Sequence, residues 1–234
     1  MMKKNHLAIV TALVVATPVK ADMNDDPILL KTMIDRLEVQ FDDGPDPLVL
    51  EAQAWIGRDL NKLWFKADVE YVDSETEEAE FQALYSRAVS PYWDIQLGFS
   101  RDVRPKPVRD WVTLGFEGLA PYWFEINAAL FVGERNRSAA RLQAEYEWML
   151  TQRWVLSPEF TINAYSKDIP EIGVGAGISD AEIALSLRYE VRREFAPYIG
   201  VNWTNTFGGT ADFAKEAGLD SSDTVFAVGV RAWF

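Results

Sequence analysis

Residues 185–192 read LSLRYEVR, in which Leu185, Leu187, Tyr189 and Val191 interleave with Ser186, Arg188, Glu190 and Arg192. Extended chain turns successive side chains to opposite faces, so this stretch is a strand with one apolar and one polar face. The same period recurs outward from it. Leu142, Ala144, Tyr146 and Trp148 alternate with Arg141, Gln143, Glu145 and Glu147, and Phe65, Ala67, Val69 and Tyr71 alternate with Lys66, Asp68 and Glu70. Ile126, Ala128 and Leu130 alternate with Glu125, Asn127 and Ala129. About twelve such runs cover the chain: 33–41, 48–57, 62–73, 79–89, 92–102, 110–118, 122–133, 138–150, 153–165, 180–192, 197–206 and 223–234.

The connections alternate between tight aromatic turns (SPYWD, APYWF, LTQRW, REFAPY) and polar, often longer segments (DDGPDP, DSETEE, GERNR, KDIPEIGVGAGIS, FGGTADFAKEAGLDSS). That is an up-and-down antiparallel meander with turns at one end and loops at the other. In a soluble barrel the apolar face points inward; in an outer-membrane barrel it meets lipid and the polar face lines the lumen. Three features select the membrane version. The runs are nine to thirteen residues long, enough for a tilted strand to span a bilayer. Trp64, Trp93, Trp123, Trp154 and Tyr198 recur just after the tight turns, the place of an interfacial aromatic girdle. The chain ends on a strand, VFAVGVRAWF, whose Phe234 is in phase with Phe226, Val228 and Val230. The expected fold is therefore all-β, an up-and-down antiparallel outer-membrane β-barrel of about 12 strands, both termini periplasmic, spanning residues 33–234. GVGAG at 173–177 reads as a flexible outer loop, and AKEAGL at 214–219 as one helical turn.

Residues 1–21, MMKKNHLAIVTALVVATPVKA, carry Lys3 and Lys4 before an apolar stretch from Leu7 to Ala16, with Val19 and Ala21 at a cleavage position. They read as a secretory signal peptide. Residues 22–32 form a short acidic segment before the barrel. The chain of 234 residues has a net charge of −13, and removing residues 1–21 takes three lysines and no acid, leaving −16 over 213 residues. It also removes the single histidine, His6, from a chain with no cysteine. Disulfides, zinc-thiolate sites and Ser-His or Cys-His catalysis are thereby excluded. The charge argues against nucleic acid as a partner.

Phase places Glu38, Glu51, Asp68, Glu70, Glu80, Asp94, Glu117, Glu125, Glu145, Glu147, Glu159, Glu182 and Glu190 in the lumen, against Arg36, Lys66, Arg141 and Arg188. So acidic an interior is either a salt-bridged plug or a cation-attracting passage.

Longer runs, EAQAWIGRDLNKLWFKADVE, AEFQALYSRAVSPYWDIQLG, LAPYWFEINAALFVGE and YEVRREFAPYIGVNWTNTFGGTADFA, resemble the copper-resistance protein B family from about Ile34 to Phe234. The resemblance implies a non-enzymatic outer-membrane protein of copper homeostasis, surrounded by lipid and acting beside a periplasmic copper-binding protein, with the copper ion bound or passed at the lumen or periplasmic mouth. The family's Met- and His-rich leading segment is missing; Met23, Met33 and Met149 are the weak metal-ligand candidates that remain. Two other readings stay open: a general acidic-lumen cation pore, and a plugged barrel that recruits a copper-binding partner. Amino-terminal sequencing of protein purified from envelopes is expected to start at Asp22; a start at Met1 would retire the leader assignment.

Overall fold

The computed structural model describes residues 26–41 and 44–234, so the expected leader and Met23 lie outside the described residues. The strands are β1 (Leu29–Phe41), β2 (Leu48–Gly57), β3 (Asn61–Val72), β4 (Glu75–Ser90), β5 (Trp93–Arg104), β6 (Arg109–Ala120), β7 (Phe124–Gly133), β8 (Ser138–Glu145), β9 (Trp148–Met149), β10 (Trp154–Tyr165), β11 (Gly177–Tyr189), β12 (Phe195–Thr206) and β13 (Ser222–Trp233). One helix, α1 (Gly208–Glu216), follows β12. Each strand pairs antiparallel with its neighbours in sequence, except that β8 and β9 both pair with β10, and β13 returns to β1, with pairs running from Met33–Trp233 to Phe41–Phe226. β8 and β9 are two parts of one wall strand, because both pair in continuous register with β10. The wall is thus a closed barrel of twelve strands.

The interruption between β8 and β9 has a local cause. Tyr146 N–H donates to the Pro158 carbonyl at 3.1 Å. Pro158 has no N–H to return, so the ladder breaks for two residues and then resumes at Trp148.

Alternation sorts the side chains as the sequence implies. Outward residues are large, apolar and unpacked by protein, as with Phe99 (71% exposed), Phe226 (64%) and Ile199 (59%). Inward ones are polar and covered, as with Gln96 (1%), Thr113 and Ser179 (both 0%). A barrel apolar outside and charged inside is built for lipid. It sits in the bacterial outer membrane. The first described strand begins and the last one ends at the rim of the tight turns: Thr32 and Phe234 exchange backbone hydrogen bonds of 3.0 and 2.8 Å.

Several expectations are corrected. β1 starts at Leu29 rather than at residue 33, because Leu29–Thr32 continue the ladder against Gly57–Ala54. DSETEE is no loop: Asp73 and Ser74 take positive φ in a two-residue turn, and Glu75 already belongs to β4. GVGAG is packed rather than loose. Ile169 beside it is 1% exposed, and Gly175 N–H donates to Thr210 Oγ1 on α1 at 2.9 Å. A Cβ on Gly175 would come within 2.5 Å of Gly209 Cα, so the close approach of loop and helix requires glycine. The single turn expected at AKEAGL is the end of a nine-residue helix.

Leu114 projects from the middle of β6 toward lipid. Leu114→Arg is expected to destabilise the barrel by about 2–4 kcal/mol in urea unfolding from bilayers. A neutral effect would contradict its lipid exposure.

Candidate functional site: the charged lumen

The lumen is organised by a bulge in β1. Pairing registers shift between Ile34 and Leu37 on one side and between Ile34 and Arg36 on the other. A bulge lets two successive residues face the same way. Asp35 accepts from Gln53 Nε2 at 2.7 Å, while Arg36 reaches Glu159 at 2.6, Glu51 at 3.3 and Glu182 at 3.6 Å, so both enter the lumen. Strict alternation would have sent Asp35 to lipid.

Cationic side chains tie distant strands together. Arg36 links β1 to β10, Lys66 on β3 meets Glu117 on β6 at 3.0 Å, and Arg141 on β8 meets Glu80 on β4 at 2.9 Å. Arg188 and Arg231 converge on Glu147 at 2.6 and 3.0 Å, with Glu145 at 3.7 Å from each. Lys62 lies 3.7 Å from Asp94, which also accepts from the Ser86 hydroxyl. Toward the loop end, Arg109 and the Trp111 indole N–H both donate to Asp102, at 3.0 and 2.9 Å.

Glu38 is different: 3% exposed, it accepts from Tyr198 Oη (2.7 Å), Gln40 (2.8 Å) and Asn202 (3.3 Å), with no ion pair among the described residues. Gly229 of β13 lies between Glu38 and Tyr198 in register, and a Cβ there would come within 2.7 Å of both side chains.

A cavity of about 350 Å³ fills the middle and turn-end half of the barrel. Of the residues expected in the lumen, Glu38, Glu51, Asp68, Glu117, Glu125, Glu145, Glu159, Arg36, Lys66, Arg141 and Arg188 line it, together with Asp35 and Arg231. Eight carboxylates therefore face five cationic groups, a formal excess of three negative charges. Asp68 and Glu125 have no hydrogen-bond or ion-pair partner among the described residues. Glu80, Glu147 and Glu182 belong to the network without lining the cavity. Glu70 stands near the loop end, opposite Glu78, and Glu190 lies past the end of β11. Toward the loops lies a second, smaller space of about 20 Å³, lined by Glu80, Asp102, Trp111, Phe131, Arg141, Asn163 and Tyr165 among others.

The methionines do not converge. Met33 pairs with Gln53 and Trp233 on β1, and Met149 is 68% exposed at the end of β9, on a strand that is not a neighbour. No group of three or more His, Cys, Asp or Glu is placed to hold a metal ion among the described residues. Two expected girdle residues belong elsewhere. Trp64 is buried beneath Lys66, 5.5 Å from ring to ammonium, and Tyr198 is buried on Glu38, because both share the parity of the polar face. Arg231 carried the same parity signal, alternating with Val230 and Ala232.

A family model described as copper resistance protein B precursor matches residues 28–234. The chain belongs to the copper resistance protein B family. Copper resistance protein B of Escherichia coli is 42% identical over 91% of this chain and 72% of its own length. The copper resistance protein B homolog of Pseudomonas syringae pv. tomato is 37% identical over the same shares. Among solved structures, the fold is similar to the NanC porin (TM-score 0.57, 11% identity, 87% of this chain and 99% of that one). It is also similar to the KdgM porin (TM-score 0.54, 14% identity, 86% and 99%). At such identity the porins speak for the barrel alone.

Removing Arg36 leaves Glu51, Glu159 and Glu182 facing one another. Arg36→Gln is expected to cost about 1–3 kcal/mol, below the ~3–5 kcal/mol of a fully buried pair, because the side chains of Arg36 and Glu51 keep 16% and 30% of their surface exposed. Adding Glu159→Gln should recover part of that loss; a strictly additive double-mutant cycle would show the contact to be energetically idle.

Proposed function

We propose that this protein handles copper ions without catalysis, admitting them to the acidic cavity from a periplasmic turn-end mouth. The observation that carries the reading is the three-charge excess of carboxylate in the cavity lining. Copper is cargo here rather than a resident cofactor. Scattered oxygen donors, with no imidazole or thiolate in the described wall, bind a cation weakly enough to release it, which passage requires. The expected leader, together with β1 beginning and β13 ending at that rim, supports a periplasmic assignment for it. It places the mouth within reach of a periplasmic copper-binding protein. The small size of the space near the loops, about 20 Å³, supports a second reading, a plugged platform whose turn-end rim, with Met33 and Met149, docks such a partner.

Asp68 and Glu125 are the residues to change, because neither holds an ion pair among the described residues and their loss should spare folding. A deletion strain is expected to show altered copper tolerance and cell-associated copper, with zinc unaffected. Asp68→Asn/Glu125→Gln should restore normal barrel levels but only part of the copper phenotype. Full rescue would move the function to the rim, and an unchanged deletion strain would remove copper from the account.

A further inference from the structure

The large cavity and the small space near the loops share a wall, and the side chains lining both are Phe131 and Arg141. Arg141 is held on three sides. Nη2 and Nη1 donate to the two carboxylate oxygens of Glu80 at 2.9 and 3.4 Å, and Nε donates to Asn163 Oδ1 at 3.1 Å. The guanidinium carbon lies 5.4 Å from the centre of the Phe131 ring. Glu80 belongs to β4 and Arg141 to β8, so three intervening strands separate the partners and the pair crosses the lumen instead of running along its wall.

We propose that Arg141 is the gate of this barrel: its guanidinium, clamped on Glu80, closes the lumen between the acidic cavity and the loop-end mouth, and cations pass when it leaves Glu80. The proposal rests on the passage reading above and says where passage is controlled. Several features suit a gate. A guanidinium standing between the two spaces repels cations for as long as it stays there. The bidentate fork has a defined closed position. Glu80 has Asp68 as its direct neighbour on β3, unpartnered among the described residues and lining the cavity, so a cation that fills the cavity arrives beside the carboxylate that holds the gate shut. A divalent ion there competes with Arg141 for Glu80, which makes the cargo its own key.

The test is conductance of the purified full chain in planar bilayers in potassium chloride without copper, with folding verified by the heat-dependent shift in gel mobility. Wild type should conduct poorly. Arg141→Gln should raise conductance several-fold with cation preference. Glu80→Gln, which frees the guanidinium from the other end, should also raise it, and carries the test if the first variant does not fold. The charge swap Glu80→Arg/Arg141→Glu should return conductance toward the wild-type level. Arg101→Gln, at an ion pair on the outer wall, should change nothing. Folded variants that conduct like wild type, or a wild type already widely open, would overturn the gate. Copper tolerance of cells carrying Arg141→Gln separates the two ideas: raised potassium conductance with unaltered copper handling keeps the gate and removes the copper passage.

Discussion

Everything in this molecule follows from the absence of water around its outer wall. A strand crossing hydrocarbon must find a partner for every N–H and C=O, and only a sheet closed on itself leaves no edge. The β1–β13 pairing supplies that closure. Once the wall is closed, alternation leaves the polar half of every strand nowhere to go but inward. The acidic character of the chain is thereby concentrated in a narrow tube. The charge pairing in the lumen is thus first of all a condition of folding.

That concentration explains the crosswise geometry of the pairs. Glu125, Glu145 and Glu159 sit directly opposite one another on successive strands, an arrangement that is repulsive when left alone. Glu145 and Glu159 are neutralised by arginines of other strands, Arg36, Arg188 and Arg231, while Glu125 keeps no ion pair among the described residues. Long, forked side chains can make this reach, and arginine predominates among these struts. The cationic groups do not match the carboxylates in number, and the surplus is left lining the cavity. The ion pairs of the lumen and the surplus charge of its cavity thus have the same origin.

Much of the wall was legible in the sequence because alternation is imposed by backbone geometry and survives in the residue order. Strand number, the apolar exterior and most inward carboxylates came from phase alone, and long runs carried the family. What escaped were places where phase changes or partners are distant. The bulge at Asp35 and Arg36 flips the face of every residue before it, and nothing in LLKTMIDRLEV announces an extra residue. Trp64 and Tyr198 were assigned by residue type when their parity pointed inward. The cross-lumen pairs Lys66–Glu117, Arg141–Glu80 and Arg36–Glu159 join residues 51 to 123 positions apart, and periodicity says which residues enter the tube without saying how far around it they reach. The packing of residues 173–177 onto α1 depends on two glycines meeting, Gly175 and Gly209, a coincidence of distant segments.

The place of Gly229 between Tyr198 and Glu38 gives the closing seam a means of proofreading. The last strand carries no side chain at this point, so a hydroxyl from the strand before it reaches over to the strand after it, and three strands are fastened by one bond. A slip of one residue would set Val228 or Val230 where the bare backbone must lie, and a slip of two would set Ala227 or Arg231 there. Each puts a side chain in space the tyrosine ring occupies. A wrongly zipped barrel is therefore left unfastened, and the chain carries within its final strands a criterion for telling a finished wall from an almost finished one.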